Sequence, residues 1–233
     1  MTRASAGVSA GTASLLAGLG PFFALQAMSP EDSWQPVSTL LDEPVLPELV
    51  ARAQHFLAER AGEPVHTRVA ASITSLGLFA RLISPYLGAA AADVELPAPS
   101  LHGISFQPTL SQPWPLHLAG PSGPADPGAA LATIVEPLIE RIAEEFSLSR
   151  TTLRGNAASG VFGALGMIAR ARPDLTIAAR KLGAELLDGP LAGTGESSGS
   201  RFVRASCCLY YRIPSGGYCG DCVLTHTPGR PSA

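Results

Sequence analysis

Eight prolines, at positions 97, 99, 108, 113, 115, 121, 124 and 127, exclude a long helix from the middle of this chain and divide it into two halves. On either side the apolar spacing is helical. Upstream, Leu49, Val50, Ala53, Phe56 and Leu57 share one face of Glu48–Arg60, and Gly62 and Pro64 stop the run. Val65–Leu82 follows, with Val69, Ile73, Leu76 and Phe79 as its stripe, and Ser84-Pro85 ends it. Downstream, Asp126-Pro127 starts a helix whose apolar face is Leu131, Ile134, Val135, Leu138, Ile139, Ile142 and Phe146. Thr151–Arg170 is the next helix. Its Gly155, Gly160, Gly163 and Gly166 cost helix propensity and predict close packing against a neighbour. Asp174–Leu187 is the last, closed by Gly189-Pro190. Inside the proline block, Leu101–Phe106 and Trp114–Ala119 are short apolar runs that can pair as a hairpin, with proline confining them to edge positions.

The expected class is therefore α+β: a mainly helical domain with a small β-hairpin element and a C-terminal segment of loops. A chain of 233 residues, 46% hydrophobic and 15% charged, buries a proper core and is not disordered as a whole. Its net charge of −3 gives no general attraction to nucleic acid. Lys181 is the sole lysine, so the cationic sites are almost all planar guanidinium forks suited to carboxylates and other oxygen-rich anions. The apolar run Leu15–Ala27 is interrupted by Gly18, Gly20 and Pro21 and is too short to span a membrane. It reads as a buried segment entering the domain. A cleaved signal peptide, with Leu25-Gln26-Ala27 as a poor cleavage site, is the competing reading. No other stretch looks transmembrane, and the expected location is the cytoplasm.

All four cysteines, Cys207, Cys208, Cys219 and Cys222, sit within sixteen residues near the C-terminus. The division that follows is a helical domain over 1–190, a Gly/Ser-rich flexible linker over 191–200 and a cysteine segment over 201–233. Four thiols so close supply the whole ligand set of one soft-metal site, and thiolates select zinc, copper(I) or iron–sulfur clusters. Cys219-Gly220-Asp221-Cys222 is a common metal-binding turn. Adjacent Cys207 and Cys208 are awkward for zinc, because one small ion needs both sulfurs on the same side. A cluster with two irons accepts neighbours that point different ways. On spacing alone a structural zinc site stays open as the rival, and the spacing also differs from the plant-type ferredoxin order. Disulfides fit less well, since nothing else marks the chain as secreted.

Cys207-Cys208-Leu209-Tyr210-Tyr211-Arg212, followed by Cys219-Gly220-Asp221-Cys222, resembles the C-terminal signature of the FhuF-like ferric-siderophore reductases: two adjacent cysteines, ten intervening residues, then Cys-x-x-Cys. The likeness is specific over residues 201–224. Two weaker echoes lie upstream, Leu19-Gly20-Pro21-Phe22-Phe23 and Gly155-Asn156-Ala157-Ala158. The family often has a tryptophan before that second glycine, where this chain has Arg154. The resemblance implies that the four cysteines hold a [2Fe–2S] cluster. It further implies an iron–sulfur oxidoreductase of iron acquisition, which reduces the Fe(III) of a ferric siderophore by one electron and so releases Fe(II). No general acid or base is required.

Gly193-Thr194-Gly195 and Gly199 lack the spacing and preceding strand of a dinucleotide-binding fingerprint, and there is no P-loop. An external donor is therefore expected, such as a ferredoxin or a flavin/NAD(P)H reductase, with a ferric siderophore of hydroxamate type as substrate. Candidate substrate residues are Arg154, Asn156, Arg204 and Arg212; for Arg204, Arg212 and the neighbouring Arg201, ordinary solvated charge is the competing and favoured reading. Tyr210, Tyr211 and Tyr218 are expected to shield the cluster, and Trp34 and Trp114 to serve as core or pocket walls. His55, His66, His102 and His117 have no metal-ligand spacing, and only His226 lies near the cysteines. The alternative function is a non-catalytic [2Fe–2S] electron-transfer module or redox sensor.

Overall fold

The computed structural model describes residues 7–29, 33–42, 44–108, 113–199 and 201–225. Its helices are α1 (Ala10–Leu19), α2 (Val45–Ala61), α3 (Thr67–Ala91), α4 (Pro127–Ala130), α5 (Glu136–Phe146), α6 (Arg150–Ala171) and α7 (Thr176–Asp188). Its strands are β1 (Gln35–Pro36), β2 (Glu95–Pro97), β3 (Ile104–Phe106), β4 (Leu116–Leu118), β5 (Ser122–Pro124), β6 (Gly195–Ser198) and β7 (Arg201–Arg204). The class is α+β, as expected from the sequence.

Helices α3 and α6 form the centre. A Cβ on Gly160 would lie 2.9 Å from the Cα of Ala80, so only glycine lets the two backbones approach this closely. Asn156, one turn earlier on α6, bonds Ser72 and Ser75, earlier on α3, so the helices run past each other in the same sense. The expectation of close packing holds for Gly155 and Gly160. It does not hold for Gly163, which has open space beside it, nor for Gly166, which meets only the tip of Arg170 on its own helix.

Helix α3 continues through Pro85 instead of ending before it. A proline inside a helix costs about 3 kcal/mol. Burying Ile83, Tyr86 and Leu87 returns roughly 1.5–3 kcal/mol each, so packing overrides the local signal. By length and composition α3 alone among the described helices could cross a membrane, but 78% of its apolar window is buried inside the fold. Gly88 on α3 receives α1: a Cβ there would sit 2.8–2.9 Å from Leu19, Leu16 and Phe23. Those three side chains are buried, as the reading of a segment entering the domain expects. Arg81, also buried, fixes the chain beyond α1. Its guanidinium donates to the carbonyls of Phe22 (2.5 Å), Ala24 (2.6 Å) and Trp114 (2.6 Å). Burial pushes its pKa down to about 10.

Asp126 caps α4 by accepting from the Ala129 N–H at 2.9 Å, with Pro127 in the first turn. The expected single helix then widens into a π turn over Leu131–Val135 before α5, where Pro137 removes a ladder donor. In the proline block, β3 and β4 do pair antiparallel, Ile104 opposite Leu118 and Phe106 opposite Leu116. The edge assignment needs correcting for β3, because β1 pairs on its other side and makes it central. A second pair, β2–β5, closes the block.

The expected flexible linker over 191–200 is also corrected. Gly195–Ser198 forms β6 and pairs antiparallel with β7. A Cβ on Gly195 would lie 2.6 Å from the Phe202 ring, and that ring stacks on Phe162 of α6 with centroids 4.3 Å apart. Glycine here makes room for an aromatic anchor rather than supplying flexibility.

Candidate metal centre

The β6–β7 hairpin delivers the chain to the first cysteine pair, and a buried polar seam holds it there. Arg204, at the end of β7, is 1% exposed and Asn156 of α6 is fully buried. The Arg204 Nη2 donates to Asn156 Oδ1 at 2.5 Å and to the Thr152 carbonyl at 3.3 Å. Asn156 Nδ2 donates to the Ser72 carbonyl and to the Ser72 and Ser75 hydroxyls at 2.9–3.0 Å. Ser72 Oγ in turn donates to the Cys208 carbonyl at 2.7 Å. The cysteine loop is thus tied to both central helices through groups that no water reaches. Gly155 permits this docking, since a Cβ there would lie 2.2 Å from Ser206 Oγ and 2.9 Å from Arg204 Nη2. Ser206 Oγ donates to the Thr151 carbonyl at 3.0 Å. On the other flank Ile213, with Leu209 and Tyr210, packs on Val65 and Val69 at the α2–α3 corner.

The cysteine loop itself turns sharply. Leu209 has φ 68°, and its N–H donates to Cys207 Sγ at 3.3 Å. The Cys219–Cys222 turn closes through the Cys222 N–H to the Cys219 carbonyl at 3.2 Å, and the Arg204 N–H donates to the Asp221 carbonyl at 3.1 Å. The two halves of the motif meet here: Cys208 Sγ and Cys219 Sγ are 3.4 Å apart. Cys208 and Cys222 are buried, Cys207 and Cys219 half-buried, and none is in a disulfide. The proton shared with Cys219 pushes Cys208 down to about 6, burial opposes this, and Arg204 adds to the lowering. The same shared proton drives Cys219 up. Burial raises Cys207, partly offset by the Leu209 N–H.

Among the described residues no three His, Cys, Asp or Glu side chains gather tightly enough to hold one metal ion. A [2Fe–2S] cluster asks for something different: two thiolates on each of two irons. The donor chemistry fits it, with four free thiols on one loop, Cys208 and Cys219 already close, and the buried Arg204 cation three residues before Cys207.

Of the candidate substrate residues, Asn156 and Arg204 face inward and join the cysteine loop to the helices; Arg204 is not a solvated charge. Arg154 is exposed and ion-paired with Glu136, beside a cavity of about 270 Å³ also lined by Val135, Ile139, Ala157 and Leu191. Arg212 is exposed and lies over the Tyr211 ring at 5.7 Å. Arg201 is exposed. Tyr210 packs against the Val65, Val69 and Ile213 cluster, whereas Tyr211 and Tyr218 are both 43% exposed, too open to be called a shield. Trp114 is a core residue against Phe106, and Trp34 is half-buried with its ring edge toward His117. His226 lies outside the described residues. The seam residues Ser72 and Ser75 were not legible as site residues. Their one signal was a pair of hydroxyls one turn apart on an otherwise apolar helix stripe.

Residues 204–224 match the family model of the FhuF 2Fe-2S C-terminal domain, and all four cysteines fall inside the match. No curated protein matches the chain. Over residues 204–224 the chain is thus similar to the FhuF 2Fe-2S C-terminal domain, and the cofactor this indicates is a [2Fe–2S] cluster.

Proposed function

We propose that the protein is a ferric-siderophore reductase acting in the cytoplasm. The observation that carries this reading is the FhuF-type cysteine segment seated at the surface, with Cys207 and Cys219 half-buried rather than sealed in the core. Cys207, Cys208, Cys219 and Cys222 would hold the cluster, which would supply one electron at a time, enough to turn chelated Fe(III) into Fe(II), a poor partner for hard oxygen chelators. The residues around it set where an acceptor docks. Tyr211, Tyr218 and Arg212 are exposed on the cysteine loop. A guanidinium fork there suits the oxygen-rich surface of a ferric hydroxamate. Arg154 is a weaker candidate, being engaged by Glu136. The electron donor is a separate protein, a ferredoxin or a flavin/NAD(P)H reductase.

The test is a single turnover. Chemically reduced protein, mixed anaerobically with a ferric hydroxamate, is expected to re-oxidise as Fe(II) appears in a ferrous trap, approaching one Fe(II) per cluster. Arg212→Ala is expected to slow this more than Arg154→Ala. A cluster that stays reduced beside several ferric siderophores would contradict the reductase reading and favour an electron-transfer module or redox sensor.

A further inference from the structure

Arg204 is buried as a cation, yet only one of its three guanidinium nitrogens is satisfied. Nη2 is held by Asn156 and Thr152, while Nε and Nη1, both shut off from water, have no acceptor among the described residues. Buried guanidinium N–H groups without acceptors are costly and rarely left so. The side chain has no freedom to escape. Its Nη2 edge is fixed on α6, its backbone N–H is fixed on Asp221, and Gly155 has given up its side chain to admit it. Three residues further on, the chain reaches Cys207 and Cys208. Two groups of suitable sign lie on the cysteine loop: the Asp221 carboxylate, whose buried Oδ2 is likewise without a partner among the described residues and takes up neither N–H, and anionic sulfur.

We propose that Nε–H and Nη1–H of Arg204 donate hydrogen bonds to the sulfurs of the bound cluster, making Arg204 the residue that sets its reduction potential. Hydrogen bonds to sulfur and nearby positive charge both favour the more negative, reduced state, so they raise the potential. Asn156 is the positioning residue, because its Oδ1 holds Nη2 and so fixes the plane of the guanidinium. The inference rests on the cluster and not on which acceptor it serves.

Pulsed EPR on reduced wild-type protein carrying 15N-arginine tests it without a mutation. The expected result is hyperfine coupling from a guanidinium nitrogen, lost in Arg204→Lys. Redox titration is expected to place the midpoint potential in the order wild type, Arg204→Lys, Arg204→Gln, from highest to lowest. Ser206→Ala, which also loosens the loop by removing its bond to Thr151, is expected to leave the potential in place. A normal signal without nitrogen coupling, an unshifted Arg204→Lys, or an equal shift in Ser206→Ala would overturn the proposal. Protein lacking iron and sulfide altogether would overturn the cluster instead. Should Arg204→Gln fail to fold, the wild-type coupling and the lysine variant still decide.

Discussion

The helical body and the cysteine segment are held together by different physics. Around α3 and α6 the structure rests on apolar burial: Leu78, Phe79, Leu82, Leu153, Val161 and Ile168 are all within 2% of full burial. Among the described residues beyond 204, buried apolar groups are few, and Ile213 is the main one apart from two cysteines. That segment is held by the seam from Ser72 through Asn156 to Arg204 and by the Ser206 bond. An apolar core tolerates loss of one contact, because many others share the load. A buried polar seam does not, because removing one member strands the rest.

The largest effect that separates the two regions is therefore expected at the seam. Gly155→Val places carbon where Ser206 and Arg204 now sit and should abolish cluster retention. Asn156→Ala removes the acceptor of Arg204 Nη2 and the donor to Ser72 and Ser75, and should cost about 3 kcal/mol, or roughly 10 °C in Tm. In both variants far-ultraviolet circular dichroism should keep most of its helical signal. Loss of helicity in step with the cluster would erase the distinction between the regions.

A smaller effect belongs to the cysteine segment alone. In iron-free protein the Cys208–Cys219 pair should release one proton as pH rises through about 6, read as thiolate absorbance and lost in Cys208→Ser. The folded value is depressed, so the stabilisation Cys208 contributes is fully present above the ordinary thiol value and is lost as pH falls through about 6. Arg204 assists the depression and Asp221 opposes it. Cys219 is pushed the other way and stays protonated across this range. Absorbance that rises only above the ordinary thiol range would remove the shared proton from the account.

The smallest effect is expected on the helical body's surface. Arg154→Ala breaks an exposed ion pair with Glu136 and should change stability by about 0–1 kcal/mol, leaving the cluster spectrum intact. A spectrum altered by this substitution would show that the α6 surface and the cluster are coupled.

The same contrast governs what was legible in the sequence. Helices came through because burial writes a periodic stripe: Leu131, Ile134, Val135, Leu138 and Ile139 all lie in the core as their spacing requires. Local signals failed where packing outweighed them. Pro85 sits inside α3, and the Gly/Ser run before Ser200 contains a strand facing Phe202. The four cysteines were legible as a motif, since ligand chemistry dictates both type and spacing. The seam was not, because a buried Asn156, Ser72 or Arg204 has no periodicity and looks the same in sequence as a solvated residue. Arg204 is a substrate candidate in sequence because it flanks the cysteines and Asn156 because it lies in the Gly155–Ala158 echo, and their burial reassigns both to the support of the loop.

The most direct test of the account is the iron, zinc and acid-labile sulfide content of protein purified anaerobically after expression with ample iron. The account predicts about two irons and two sulfides per chain, weakened or lost when any one of Cys207, Cys208, Cys219 and Cys222 is replaced by serine. One zinc per chain and no sulfide would contradict it.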